Sequence, residues 1–246
     1  MNSLPMRGSV SLLASALMLA SAAAFAAVDP AAPAKGLQQA KTYTVTSPPT
    51  APLELAKPKL PDISGYTAEA VAKKIVRSKP GKVKVRRMMQ EDALKDFIGG
   101  DNKMTEWVAR QHGIPQAIFI EDGYINLRDL SKSLPKQYFS ETSPGVFLAR
   151  LPIVVGRKGI LEIDNKTQEL RLSQEAGSFL INDGQLFVRD TKITGWREAD
   201  NGPATFRKPN EFRPFLLSWG GTETYIVNSK IASFGYANSK SYGVSI

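Results

Sequence analysis

Two stretches of this chain repeat one another almost residue type for residue type. Phe179-Leu180-Ile181-Asn182-Asp183-Gly184 is matched by Phe215-Leu216-Leu217-Ser218-Trp219-Gly220. Soon after each copy comes a second match, Val188-Arg189-Asp190-Thr191-Lys192-Ile193 against Ile226-Val227-Asn228-Ser229-Lys230-Ile231. A third round opens at Tyr242-Gly243-Val244-Ser245-Ile246. Strand, turn and strand repeated with like side chains in like places mark stacked β-coils, in which each unit buries its apolar face against its neighbours. A sandwich also uses short strands, but it has no reason to reproduce these words in order. In a parallel stack Asp190 lies under Asn228, and Lys192 under Lys230, about 4.8 Å apart. The third round stops within a strand, so an incomplete stack is expected.

The two rounds differ in length. The excess in the first lies between Thr194 and Pro214, a segment that holds Arg197, Glu198, Asp200, Arg207, Lys208, Glu211 and Arg213. Segments this long are usually functional or disordered. On a stack they project from one side and shape a groove.

Upstream, the character of the chain changes three times. Residues 1–26 carry Arg7, then an apolar run, then Ala24-Phe25-Ala26. That is the pattern of a cleaved signal peptide, and the apolar run is shorter than the ~20 residues a membrane span needs. No span is expected after cleavage. Residues 27–62 are rich in Pro, Ala, Thr and Lys and read as a tether. Residues 63–143 mix helix and strand signals. Ala68, Val71, Ala72, Ile75 and Val76 fall at helical spacing behind Thr67, Lys82 to Met88 alternates charge with Val, and Asn126 precedes a helical run stopped at Pro135. Further helices are expected at Gln90–Ile98 and around Met104, Trp107 and Val108. From residue 144 to 246 only short strands and turns remain. The expected fold is therefore mostly β: the first coils of a parallel β-stack behind a small α/β N-terminal region.

Composition excludes several chemistries. The 246 residues contain no Cys and a single His. That removes disulfides, thiolate nucleophiles and multi-His metal sites. No Walker loop, Ser elbow or paired carboxylates appear, and neither cofactor nor metal is expected. His112, in Gln-His-Gly at a helix end, has an ordinary role there beside the helix dipole.

The formal charge of +9 points to anionic partners. For an exported protein these are acidic polysaccharides, lipid headgroups or acidic proteins rather than nucleic acid. Lys73, Lys74, Arg77, Lys79, Lys82, Lys84, Arg86 and Arg87 follow one another with no acid between them. They form either a solvated face or a docking strip. Lys192 and Lys230 pose a sharper question, because like charges directly opposite destabilise a sheet. Either both bend into solvent, or a row of carboxylates runs past them. Together with Arg197 and Arg213 they are the candidate substrate-binding residues.

Several words in the sequence resemble a known family. Leu60-Pro61-Asp62-Ile63-Ser64-Gly65-Tyr66-Thr67, Asp92-Ala93-Leu94-Lys95-Asp96-Phe97-Ile98-Gly99-Gly100-Asp101-Asn102, Asn201-Gly202-Pro203-Ala204-Thr205-Phe206 and Phe212-Arg213-Pro214-Phe215-Leu216-Leu217-Ser218-Trp219-Gly220-Gly221-Thr222 resemble the periplasmic mannuronan C-5 epimerase of bacterial alginate biosynthesis. The resemblance implies a right-handed parallel β-helix, incomplete at its C-terminal end. It implies a periplasmic location, a polymannuronate (alginate) substrate converted from D-mannuronate to L-guluronate during export, and partners in a periplasmic alginate export complex. The family places its catalytic base, a His, in an Asp-Pro-His-Asp motif, and that motif is absent from this sequence. The resemblance therefore assigns no catalytic residue to these 246 positions and implies that they do not epimerise alone. Two other readings stand beside it: a non-catalytic polyuronate-binding or scaffold module of the export complex, and a polysaccharide lyase.

Overall fold

A computed structural model describes residues 58–88, 114–208, 211–219, 221–235 and 242–246. Contacts divide the chain into Met1–Lys59 and Leu60–Ile246, and every described element lies in the second unit. The signal sequence, most of the tether, His112 and the helices expected at Gln90–Ile98 and near Trp107 fall outside the described residues.

Helix α1 (Ala68–Ala72) starts where Thr67 offers an N-cap: its hydroxyl accepts the Ala70 amide at 3.2 Å. The helix is short, and its buried Val71, with Ile75 beyond it, packs onto the outside of the strands. The alternating Lys and Val residues form strand β1 (Lys82–Arg87), antiparallel to β2 (Gln116–Asn126). Asn126 then caps α2 (Leu127–Ser133) by accepting the Asp129 amide at 2.9 Å. A hairpin of β3 (Phe139–Ser143) and β4 (Val146–Ala149) follows.

The remaining strands stack in parallel. They are β5 (Ile153–Ile163), β6 (Glu169–Ser173), β7 (Leu180–Asn182), β8 (Gln185–Arg189) and β9 (Lys192–Arg197), then β11 (Leu216–Ser218), β12 (Glu223–Val227), β13 (Lys230–Ala232) and β14 (Val244–Ser245). Between β9 and β11, the two-residue β10 (Gly202–Pro203) turns back antiparallel on β9. Three parallel ladders run through the stack. The first is β2-β5-β7-β11-β14, the second is β2-β5-β8-β12, and the third is β4-β6-β9-β13. Strands β2 and β5 are long because each crosses the corner between the first two ladders. The stack thus already includes β2, inside the segment that the sequence pattern gave to the α/β region. Strand β2 shares no repeated word with its parallel partner β5, so the repeat does not reveal the pairing.

The register explains why the sequence repeats. Ile118, Ile153, Leu180 and Leu216 occupy one inward row, and Ile125, Leu161 and Leu186 another. Phe147, Leu170, Ile193 and Ile231 form a third, so one apolar core runs along the axis. Each row is a column of like side chains, the condition a coil stack imposes on every rung. On the outer side of the first ladder, Phe119, Val154, Ile181 and Leu217 form a second apolar cluster, with Phe179 stacked on Phe215 at 4.9 Å. At the first corner the inward row changes character: Ile120 and Val155 give way to Asn182 and Ser218. Asn182 is fully buried and satisfied. It donates to the Glu223 carbonyl at 3.0 Å and to Thr224 Oγ1 at 2.9 Å, and it accepts from the Gly184 amide at 3.0 Å.

Candidate functional site

The third ladder places Lys230 directly opposite Lys192, as the repeat predicts. The repulsion is relieved on one side only. Lys192 Nζ lies 2.7 Å from Glu169, whose carboxylate also receives Thr194 Oγ1 at 2.6 Å and Arg171 Nε at 2.7 Å. Burial pushes the Glu169 carboxyl up, but these three donors outweigh it and hold it below its ordinary value. Lys230 is exposed and has no carboxylate partner among the described residues.

The long segment is ordered by its own charges. Arg197 is largely buried and pairs with Glu211, and Glu211 also accepts the Arg207 amide at 2.7 Å. Gln174 anchors the same segment by donating to the Phe212 carbonyl at 2.6 Å. Arg213 lies over the Phe206 ring at 4.8 Å and donates to the Gly235 carbonyl at 2.7 Å. Of the four sequence candidates, the structure brings Lys192 and Lys230 together. Arg197 and Arg213 are committed to holding the segment's shape.

The basic run divides by partner. Arg77 reaches Glu162, and Lys79 pairs with Asp122. Lys82 and Lys84, at 3.7 and 3.5 Å, and Arg86 all converge on one carboxylate, Glu121. Among the described residues, these three cations share the single Glu121 carboxylate. This edge of β1 opens onto a cavity of about 250 Å³ lined by Arg86, Phe119, Glu121, Val154, Arg157 and Trp219. A second cavity of about 470 Å³ adjoins it and shares Arg157, Asp183 and Trp219. Neither Arg157 nor Trp219 is among the candidates read from the sequence. The available signal was Gly156-Arg157-Lys158-Gly159, a basic pair between two glycines inside a strand. Gly159 is required there: a Cβ on it would meet the Ile120 carbonyl oxygen at 2.3 Å. The chain crosses the corner so tightly that Arg157 and Lys158 are turned out.

A separate cavity of about 380 Å³ lies beside Glu162. Glu162 is almost fully buried and receives Arg77 Nε at 3.1 Å, Arg189 at 2.5 Å and the Tyr124 hydroxyl at 2.5 Å. Burial pushes its carboxyl up, and the hydrogen bonds from Arg77, Tyr124 and Arg189 overcome this and hold it below the ordinary value. This cluster fastens the segment after α1 to the second ladder, with two guanidiniums and one phenol gathered on a single carboxylate. Among the described residues no group of three or more His, Cys, Asp or Glu side chains is placed to hold a metal ion. Nor is any described helix long and apolar enough to cross a membrane.

The cationic side chains of β1 thus lie beside a cleft lined in part by Phe119 and Trp219 on the stacked parallel strands. The chain is 76% identical over its full length to a mannuronan C5-epimerase of Pseudomonas fluorescens and 72% identical over 96% of its length to that of Pseudomonas putida. Along its whole length the chain matches mannuronan C5-epimerases. It spans about half the length of these curated relatives, 47% and 45%. A crystal structure of the periplasmic alginate epimerase AlgG superimposes with a TM-score of 0.73 at 63% identity, covering 78% of this chain and 46% of that one. No family model matches.

Proposed function

We propose that this chain is the polymer-holding N-terminal part of a mannuronan C5-epimerase. The observation that carries the reading is the 76% identity maintained over its whole length. Its parallel ladders and its likeness to the periplasmic alginate epimerase support a right-handed parallel β-helix working in the periplasm. The substrate is polymannuronate, and the natural setting is an alginate export complex whose other proteins are its partners.

Epimerisation at carbon 5 needs three things. The uronate carboxylate must be neutralised so that the carbon acid becomes acidic enough. A base must take the proton on one face, and an acid must return one on the other. The 246 residues offer cations for the first task and lack the Asp-Pro-His-Asp motif for the others. We therefore assign this chain to binding rather than proton transfer. Purified chain titrated with polymannuronate should bind in a salt-sensitive manner and leave the uronate composition unchanged by proton NMR. Guluronate signals would overturn the assignment of binding alone. Ultraviolet absorbance from an unsaturated product would favour a lyase. Absence of binding at low salt would remove the polyuronate reading.

A further inference from the structure

We infer that Arg157, Asp183 and Trp219 form a uronate subsite at the corner between the first two ladders. Arg157 reads the sugar carboxylate and Trp219 forms a wall for the pyranose ring. This deepens the polymer-binding reading and rests on it.

Three observations carry the inference. First, these residues line two adjoining cavities of about 250 and 470 Å³, which together run from β5 past β7 to the residues following β11, along the stacking axis. A cleft running along the stack suits a linear polymer better than a small compact ligand.

Second, the guanidinium is available. Its side chain is 85% exposed, and its contact with Asp183 is long, 3.4 Å from Nε to Oδ2. A committed charge-assisted bond is closer to about 2.8 Å. Asp183 thus holds Arg157 over the cleft loosely, and an incoming carboxylate can replace it. Arg is suited to this task because its planar fork matches a carboxylate.

Third, the walls are fixed. The Asp183 amide donates to the Val155 carbonyl at 2.7 Å, and the Trp219 amide donates to the Asn182 carbonyl at 2.8 Å. Thr222 Oγ1 donates to the Trp219 carbonyl at 2.7 Å, and the Glu223 amide donates to the Gly184 carbonyl at 3.1 Å. Little ordering remains to be done on binding. The carboxylates of Asp183 and Glu223, with Gln185, supply acceptors and donors for sugar hydroxyls on the same floor.

The test is calorimetric titration of the whole chain with a short mannuronate oligomer, with a neutral mannose oligomer as control. Arg157→Ala should weaken mannuronate binding by about tenfold, the loss of one charge-assisted contact, and Arg157→Lys should recover part of it. Asp183→Asn removes the competing anion and should tighten binding, a gain that misfolding cannot mimic. Unchanged affinity in both Arg157→Ala and Asp183→Asn overturns the subsite while leaving the polymer-binding reading intact. Equal affinity for the neutral oligomer overturns the role given to Arg157. Failure of the unmodified chain to bind mannuronate removes the subsite together with the reading beneath it.

Discussion

Asn228 Nδ2 donates to Asp190 Oδ1 across 3.1 Å, and both residues sit in left-handed backbone, with φ of 48° and 53°. They mark the same corner on successive coils, between the second and third ladders. Asn and Asp are the residues besides Gly that enter this region most readily, because a short polar side chain can bond locally. The corner therefore selects the residue type, and the stack selects its repetition. Asn228→Gly should be tolerated, losing only the side-chain bond. Asn228→Val should cost about 1–2 kcal/mol, because a β-branched residue is strained in left-handed backbone. Urea midpoints of the two variants check the difference, and equal midpoints would deny the backbone its role.

The same corner shows what could be read from sequence. Asp190 over Asn228 and Lys192 over Lys230 followed from the repeat, because in a coil stack sequence likeness is spatial neighbourhood. The N-caps at Thr67 and Asn126 were legible because capping is local. Membership of β2 in the stack was not, since its residues carry no repeat word. The fate of the basic run was equally hidden. Arg77 meets Glu162, 85 residues away, and no periodicity connects them. The cleft at Arg157 and Trp219 escaped notice because it is assembled from corners of three coils, each unremarkable alone.

Gly184 tests how tightly successive corners pack. A Cβ placed there would lie 2.2 Å from the Gly156 carbonyl oxygen and 2.6 Å from that of Gly159. Both obstacles are backbone, so neither can swing aside. Gly184→Ala should lower stability by at least about 1–3 kcal/mol, the usual cost of overpacking, and should disturb the β5–β8 ladder first. Gly221, at an exposed corner, meets nothing within 4 Å, though its φ is 84°. Gly221→Ala should cost only about 1 kcal/mol of backbone strain. Thermal unfolding of the pair would show the contrast, and similar midpoints would contradict the packing account.

Lys230 separates the two readings of the lysine row. Glu169 neutralises Lys192 from one side, while Lys230 faces Lys192 from the other without a carboxylate among the described residues. If the row is only a solvated surface, Lys230→Glu creates an attractive cross-strand pair and raises stability by about 0.2–1 kcal/mol with no effect on polymer binding. If polyuronate passes over the row, the same change raises stability but weakens polymannuronate binding several-fold. A polyanion-binding surface retains such repulsion at a cost to the fold, and the expected result is the second. Unchanged affinity would confine binding to the corner cleft.

Acid should unfasten this protein in a defined order of cause. Glu162, Glu169 and Glu211 are each held below the ordinary carboxyl value of 4.5, with cationic or amide donors outweighing burial in every case. A group whose folded value is depressed contributes its full stability above the unfolded value and loses it as pH falls through the folded one. Stability should therefore be flat near neutrality and fall below about pH 4.5, with a slope of about 1.4 kcal/mol per pH unit for each proton taken up. Glu162 should dominate, since its protonation strands Arg77 and Arg189 together beside a buried acid. Glu162→Gln should cost about 3–5 kcal/mol at neutral pH, the usual penalty for breaking a buried pair. It should also remove one proton's worth of the acid slope. Urea denaturation of both proteins from pH 3 to pH 7 measures the two effects together, and a variant with the parent's full acid slope would show that Glu162 is not the group that titrates.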